Sequence, residues 1–234
     1  MKIREVISIY KHWAESITGD NSDDSLSSDL AIYHMLIKSR STVLKQALDG
    51  STMIGEETYQ TIPCIELQEV DRVECPTIPA SGCIWLRSVC PLPDLIKIQT
   101  VATHFGEGYS YVRWDKIKEK TGGRLKSAAR EKFYSLRTIK DEVYLYLYNE
   151  ETIKNITVVG IFEDPAEASM FCKFDKEALC DPMDTSFHTP QYLIDAVNKA
   201  TWDVTLRVRS QAKLKALNND FPIDNTTQTP TQQK

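Results

Sequence analysis

Oily and polar positions alternate at helical spacing over the first eighteen residues, MKIREVISIYKHWAESIT. Ile3, Val6, Ile7, Tyr10, Ala14 and Ile17 fall on one face, with Arg4, Glu5, Lys11 and Glu15 between them. Thr18-Gly19-Asp20 ends the segment, and the polar, acidic NSDDSLSS follows as a connector. A second helix is predicted from Ser28-Asp29, a capping side chain followed by a first-turn acid that complements the helix dipole. It continues through LAIYHMLIKSRSTVLKQAL, with Leu30, Tyr33, Ile37, Leu44 and Leu48 as its inward stripe, and stops at Asp49-Gly50. Two helices joined by a short connector are expected to pack as an antiparallel hairpin.

The period changes near Thr58. TYQTIPCIELQEV, GCIWLRSV, LIKIQTVATHF, YSYVRW, KFYSLRTI, EVYLYLYN and NITVVGIF are rich in β-branched and aromatic residues and read as strands. His104–Tyr109 carries two glycines and reads as a hairpin turn; Lys140-Asp141 is a second tight turn without the favoured glycine. After Asp164-Pro165 the pattern is helical again. AEASMFCKF is a short helix, KEALCDPMDTSF is irregular, and Thr189-Pro190 opens the last helix with proline where a missing N–H costs little. Leu193, Val197, Ala200, Val204 and Val208 form its stripe, and Arg207, Arg209, Lys213 and Lys215 lie toward its C-terminal end.

Neither terminal piece buries its apolar face alone, so the last helix is expected to return to the first two. The fold class is therefore α+β: a small bundle of N- and C-terminal helices with a long antiparallel β region inserted. Residues 1–57 form the helical hairpin, 58–165 the inserted β domain and 166–212 the returning helical segment. The polar tail NNDFPIDNTTQTPTQQK falls within a flexible segment, 213–234.

Composition narrows the function. Against 28 basic residues stand 33 acidic ones, a net charge of −5 that argues against a general nucleic-acid coat. Mean hydropathy is −0.35 and no apolar run approaches the roughly 20 residues of a membrane span, so no membrane partner is expected. Glu5 and Lys11 interrupt the N-terminal apolar positions, which excludes a signal-peptide reading. Folding in a reducing cytoplasm follows as an expectation, with six cysteines present as free, buried thiols.

The sequence carries no catalytic constellation. The cysteine gaps are Cys64-x10-Cys75-x7-Cys83-x6-Cys90 and Cys172-x7-Cys180, without the close pairs by which one turn presents two sulfurs to zinc. None of His12, His34, His104 and His188 is tied locally to a thiol. Gly106-Glu107-Gly108 lacks the Gly-Lys-Ser/Thr ending of a phosphate loop, and there is no G-x-S-x-G elbow. DNSDDSLSSDLA has Ser25 where a calcium loop needs glycine and Ala31 where it needs a bidentate glutamate. No enzyme, metal or cofactor is expected. One charged segment stands out: Lys116, Lys118, Lys120, Arg124, Lys126, Arg130 and Lys132 face only Glu119 and Glu131. Such a run can meet DNA phosphate or an acidic partner, or simply face water.

The pattern YQTIPCIELQEVDRVECPTIPASGCIWLRS, then LPDLI, then GIFEDPAE, resembles the ring, or head-to-tail connector, proteins of crAss-like and related short-tailed bacteriophages. SSDLAIYHMLIKSRSTVLKQAL resembles the second helix of those proteins. The resemblance covers about Asp29–Ser88 and Ile161–Glu167, with a weaker match in the last helix, while Lys116–Lys132 departs from it. It implies a virion adaptor, assembled in the host cytoplasm, that stacks as a twelve-fold ring on the portal and lines the DNA exit channel. Implied partners are further copies of the chain, the portal protein, other tail rings and the genomic DNA passing through. The tail, with Phe221, Pro222 and Ile223, is a candidate for docking on a neighbour. Rival readings are another virion ring or tail-tube component, a nucleic-acid-binding module using the basic segment, and an enzyme with dispersed site residues.

Overall fold

The computed structural model describes residues 1–18, 28–50, 53–70, 85–117, 132–148, 153–171 and 181–220, with side chains up to 207. Each of the seven segments with the β pattern contains a strand: β1 (Gln60–Glu69), β2 (Trp85–Ser88), β3 (Leu95–Thr103), β4 (Ser110–Tyr111), β5 (Phe133–Ile139), β6 (Glu142–Tyr148) and β7 (Asn155–Phe162). Their order in the sheet is β3-β7-β1-β2-β6-β5-β4. Every neighbouring pair is antiparallel except β4 and β5.

The ribbon curls into a near-closed barrel, and its bends have local causes. Pro63 cannot donate to a ladder, and the register of β1 slips between Ile62 and Ile65. That bulge lets β1 pair with β7 over its first part and with β2 over Leu67–Glu69. The edges meet where Ala102 bridges Gly108, with Tyr109 N–H donating to the Val101 carbonyl at 2.8 Å. Both predicted turns form. Gly106 takes φ 85° in the first, while Lys140 and Asp141, at 52° and 68°, make a left-handed pair without glycine in the second.

Alternation along the strands produces two cores. Ile62, Ile65, Val101, Tyr134, Leu145, Leu147, Ile156, Val158 and Phe162 fill the barrel. Trp85, Phe133 and Tyr146, neighbours of inward residues, belong to a separate cluster with Val70, Val112 and Ile117. This second cluster is an aromatic pad: Phe133 and Tyr148 stack at 4.5 Å, and Trp114 meets Tyr146 edge-on at 4.8 Å.

At Gly160 the backbones of β7 and β3 approach closely: a Cβ there would lie 2.7 Å from the Lys97 carbonyl oxygen. Gly160→Ala is expected to push the strands apart and cost about 1–3 kcal/mol in urea unfolding. Gly108→Ala, whose Cβ meets nothing within 4 Å, is the control and should stay within about 0.5 kcal/mol.

The returning helix behaves as the stripes demand. Helices α1 (Ile3–Thr18), α2 (Asp29–Asp49) and α4 (Gln191–Asp220) share one core built on Val6, Tyr10, Ile32, Leu36, Val197 and Trp202. Tyr10 Oη and Thr205 Oγ1 share a hydrogen bond at 2.8 Å, and Trp13 stands edge-on to Trp202 at 5.8 Å. The buried faces are rotated from those expected, however. Ile17 and Leu30 are exposed, and α2 buries Ile32, Leu36 and Arg40 beside Tyr33 and Leu44. On α4 the buried positions are Ile194, Val197, Asn198, Thr201, Trp202 and Thr205, whereas Leu193, Ala200 and Val204 are only partly covered. Thr201 and Thr205 return their hydroxyls to carbonyls four residues back, at 2.8 and 2.9 Å, so their polar groups are satisfied inside the bundle. The side chain of Val208 lies outside the described residues, and the helix continues to Asp220, past the expected boundary at 212.

Candidate functional site

The chain joins barrel to bundle through one buried cation. Arg40 occupies the apolar stripe of α2, four residues after Leu36 and four before Leu44, and is fully buried. Its Nη1 donates to the carbonyls of Phe162 at 2.7 Å and Glu163 at 3.1 Å, where β7 ends. Nη2 donates to the His188 carbonyl at 2.8 Å, and Nε to Thr189 Oγ1 at 3.0 Å, just before α4. Three elements distant in sequence are thereby pinned to one planar fork. Burial pushes the guanidinium down to about 10, an effect opposed by Asp164, so it stays charged at neutral pH.

Beside this seam, Asp164 caps the short helix α3 (Pro165–Met170), accepting from Ala166 N–H at 2.8 Å. The Tyr33 hydroxyl donates to the same carboxylate at 2.6 Å, and burial with that acceptor pushes its pKa far up. Gln60 of β1 donates to the Pro165 carbonyl at 2.9 Å, and Lys45 of α2 pairs with Glu163. Tyr33, Ala166, Met170, Phe171 and Pro182, with Asp164 and Glu167, line an open recess of about 500 Å³. Burial, then Asp164 and Asp94, push the Glu167 carboxyl up.

His188 holds a left-handed backbone, φ 45°, and its Nδ1 lies 3.1 Å from the Glu57 carbonyl. Burial pushes its pKa below the ordinary 6.5; the bond to Glu57 opposes this and the Arg40 charge adds to it. The fold thus prefers neutral His188, so its contribution is intact above pH 6.5. It is lost as pH falls through the folded pKa, because the unfolded chain takes up the proton first. His188→Asn keeps a residue tolerant of φ > 0. Melting temperatures between pH 7.5 and 5 should fall less steeply for this variant than for the native chain, and an identical slope would refute the assignment.

The basic segment is placed only at its ends. Lys116 is exposed at the end of a single 3₁₀ turn, Trp114–Lys116, and Lys132 precedes β5 and pairs with Glu107 at 2.5 Å. Ile117 and Phe133 lie in the same aromatic pad, so both ends of the segment are anchored on one face of the barrel. Lys118, Lys120, Arg124, Lys126 and Arg130 lie outside the described residues, as do Phe221, Pro222 and Ile223 of the tail.

The thiols require a correction. Cys64 is only half-buried and is disulfide-bonded; Cys90 is free but exposed. The β1 bulge explains the first: Ile62 and Ile65 both point into the barrel, which leaves Cys64 outside it. Cys75, Cys83, Cys172 and Cys180 are outside the described residues. Among the described residues no group of three His, Cys, Asp or Glu side chains is placed to hold a metal ion.

The family description "phage tail ring protein 2" matches residues 15–226. The chain is 26% identical over 182 residues to "Ring protein 2" of Bacteroides phage crAss001, an alignment covering 74% of this chain and 78% of that protein. The chain belongs to the phage tail ring protein 2 family of crAss-like phages.

Proposed function

We propose that the chain is the repeating subunit of a ring in the connector between capsid portal and tail, with genomic DNA passing through the ring. The observation that carries this reading is family membership over nearly the whole length of the chain. The similar protein of phage crAss001 is likewise named a ring protein.

The helical parts, 1–57 and 166–212, serve as the body of each subunit and the β region, 58–165, as its second contact-making layer. Lys116, Lys118, Lys120, Arg124, Lys126, Arg130 and Lys132 form a surface toward DNA or an acidic partner, rooted on the aromatic pad. The segment after Asp220 reaches a neighbouring ring through Phe221, Pro222 and Ile223. Twelve copies match the symmetry that the resemblance implies for the portal. Imaging the full chain mixed with its portal protein tests the reading: a ring stacked coaxially on the portal is expected. Absence of any ring or co-assembly would overturn it.

A further inference from the structure

Phe105 stands 93% exposed at the tip of the turn after β3. The turn is held by Gly106 N–H to the Thr103 carbonyl at 3.0 Å and Thr103 N–H to the Glu107 carbonyl at 2.9 Å. Covering this ring would remove its apolar area from water, a gain open to any partner surface that receives it. His104 lies edge-on to it at 6.0 Å, and exposed Lys154 lines the same hollow. Glu107 of the same turn is paired with Lys132.

The other end of β3 lies beside the open recess lined by α2 and α3. Leu95 pairs with Phe162, and Glu163 N–H donates to the Asp94 carbonyl at 2.8 Å, so the strand starts beside α3 and its recess. The lining there is apolar, from Tyr33, Ala166, Met170 and Phe171, and its volume admits a phenyl ring. The exposed acid beside it, Glu167, is crowded by Asp164 and Asp94, and a cation would relieve it. At roughly 3.3 Å per residue, β3 separates the apolar projection from the apolar recess by about 30 Å. A projection and a recess at opposite ends of one subunit, with opposite charges beside them, are the two halves of a head-to-tail contact. Such contacts repeat, and close into a ring when the rotation permits.

We propose that Phe105 of one copy seats in the recess between α2 and α3 of the next copy, with Lys154 of the first facing Glu167 of the second. This rests on the ring reading above and names the surfaces that build the ring. The test sizes the full chain by native mass spectrometry, alone and with its portal. Phe105→Asp should weaken self-association more than about tenfold, since a buried ring is exchanged for a charge. Its melting temperature should not move, because the side chain touches little in the monomer. Lys154→Glu and Glu167→Lys should each weaken assembly by about fivefold, and the double reversal should restore it. Native rings alongside Phe105→Asp rings that form as readily would overturn this interface while leaving the ring reading intact. Failure of the charge swap to rescue would remove the Lys154–Glu167 pairing. If the native chain forms no ring under either condition, interface and ring reading fall together.

Discussion

Arg40→Leu is expected to lower stability by about 3–5 kcal/mol, read as a shift in the urea midpoint. Leucine fits the apolar stripe between Leu36 and Leu44, so packing alone would favour the change. The loss comes from what arginine leaves behind. The carbonyls of Phe162, Glu163 and His188 and the hydroxyl oxygen of Thr189 would lose their donor at a buried seam. Each orphaned acceptor costs about 1–3 kcal/mol where water cannot replace the bond. Arg40→Lys separates charge from geometry: the ammonium keeps the positive charge but cannot serve the three carbonyls and Thr189 as the planar fork does. An intermediate loss of about 2 kcal/mol is expected for it. An unchanged midpoint for Arg40→Leu would mean that solvent reaches the seam, and the view that one cation locks barrel to bundle would fail.

The same residue shows where sequence reading works and where it stops. The alternation in EVYLYLYN and the β-branched run NITVVGIF locate β6 and β7 because successive side chains point to opposite faces of the sheet. On β6, Leu145 and Leu147 face the barrel while Tyr146 faces the aromatic pad. Return of α4 to α1 and α2 is equally legible, since three amphipathic faces in one chain have few other places to go. Barrel closure is not. It depends on the bulge at Pro63 and a single bridge at Ala102, which are cumulative matters of twist.

Arg40 itself was readable in principle. A guanidinium at the centre of an otherwise apolar stripe must either be paired or rotate the helix, and sequence periodicity weighs only the apolar members. The rotated face of α4 has the same origin, because Thr201 and Thr205 count as polar until their hydroxyls are seen bonded to the backbone. The recess beside Glu167 joins residues more than a hundred positions apart, from Tyr33 to Pro182, and no local pattern announces it. Phe105 lay in plain view within a predicted turn, but exposure of its ring is a property of the fold.

Trp85→Ala is the second large effect, expected to cost about 3–5 kcal/mol. The indole is buried on the outer face of β2, with ring centroids 5.0 Å from Tyr148, 5.7 Å from Phe133 and 6.3 Å from Trp114. Deleting it opens a void that rigid aromatic neighbours cannot close by changing rotamer. The damage should also be local, because this pad is distinct from the barrel interior. Amide exchange at Val112–Ile117 is expected to accelerate more than exchange along β7, whereas Leu147→Ala, on the inward face of β6, should loosen both together. A loss under about 1 kcal/mol would place the pad outside the cooperative core. If the larger loss is found, Ile117 and Phe133 share their footing with Trp85.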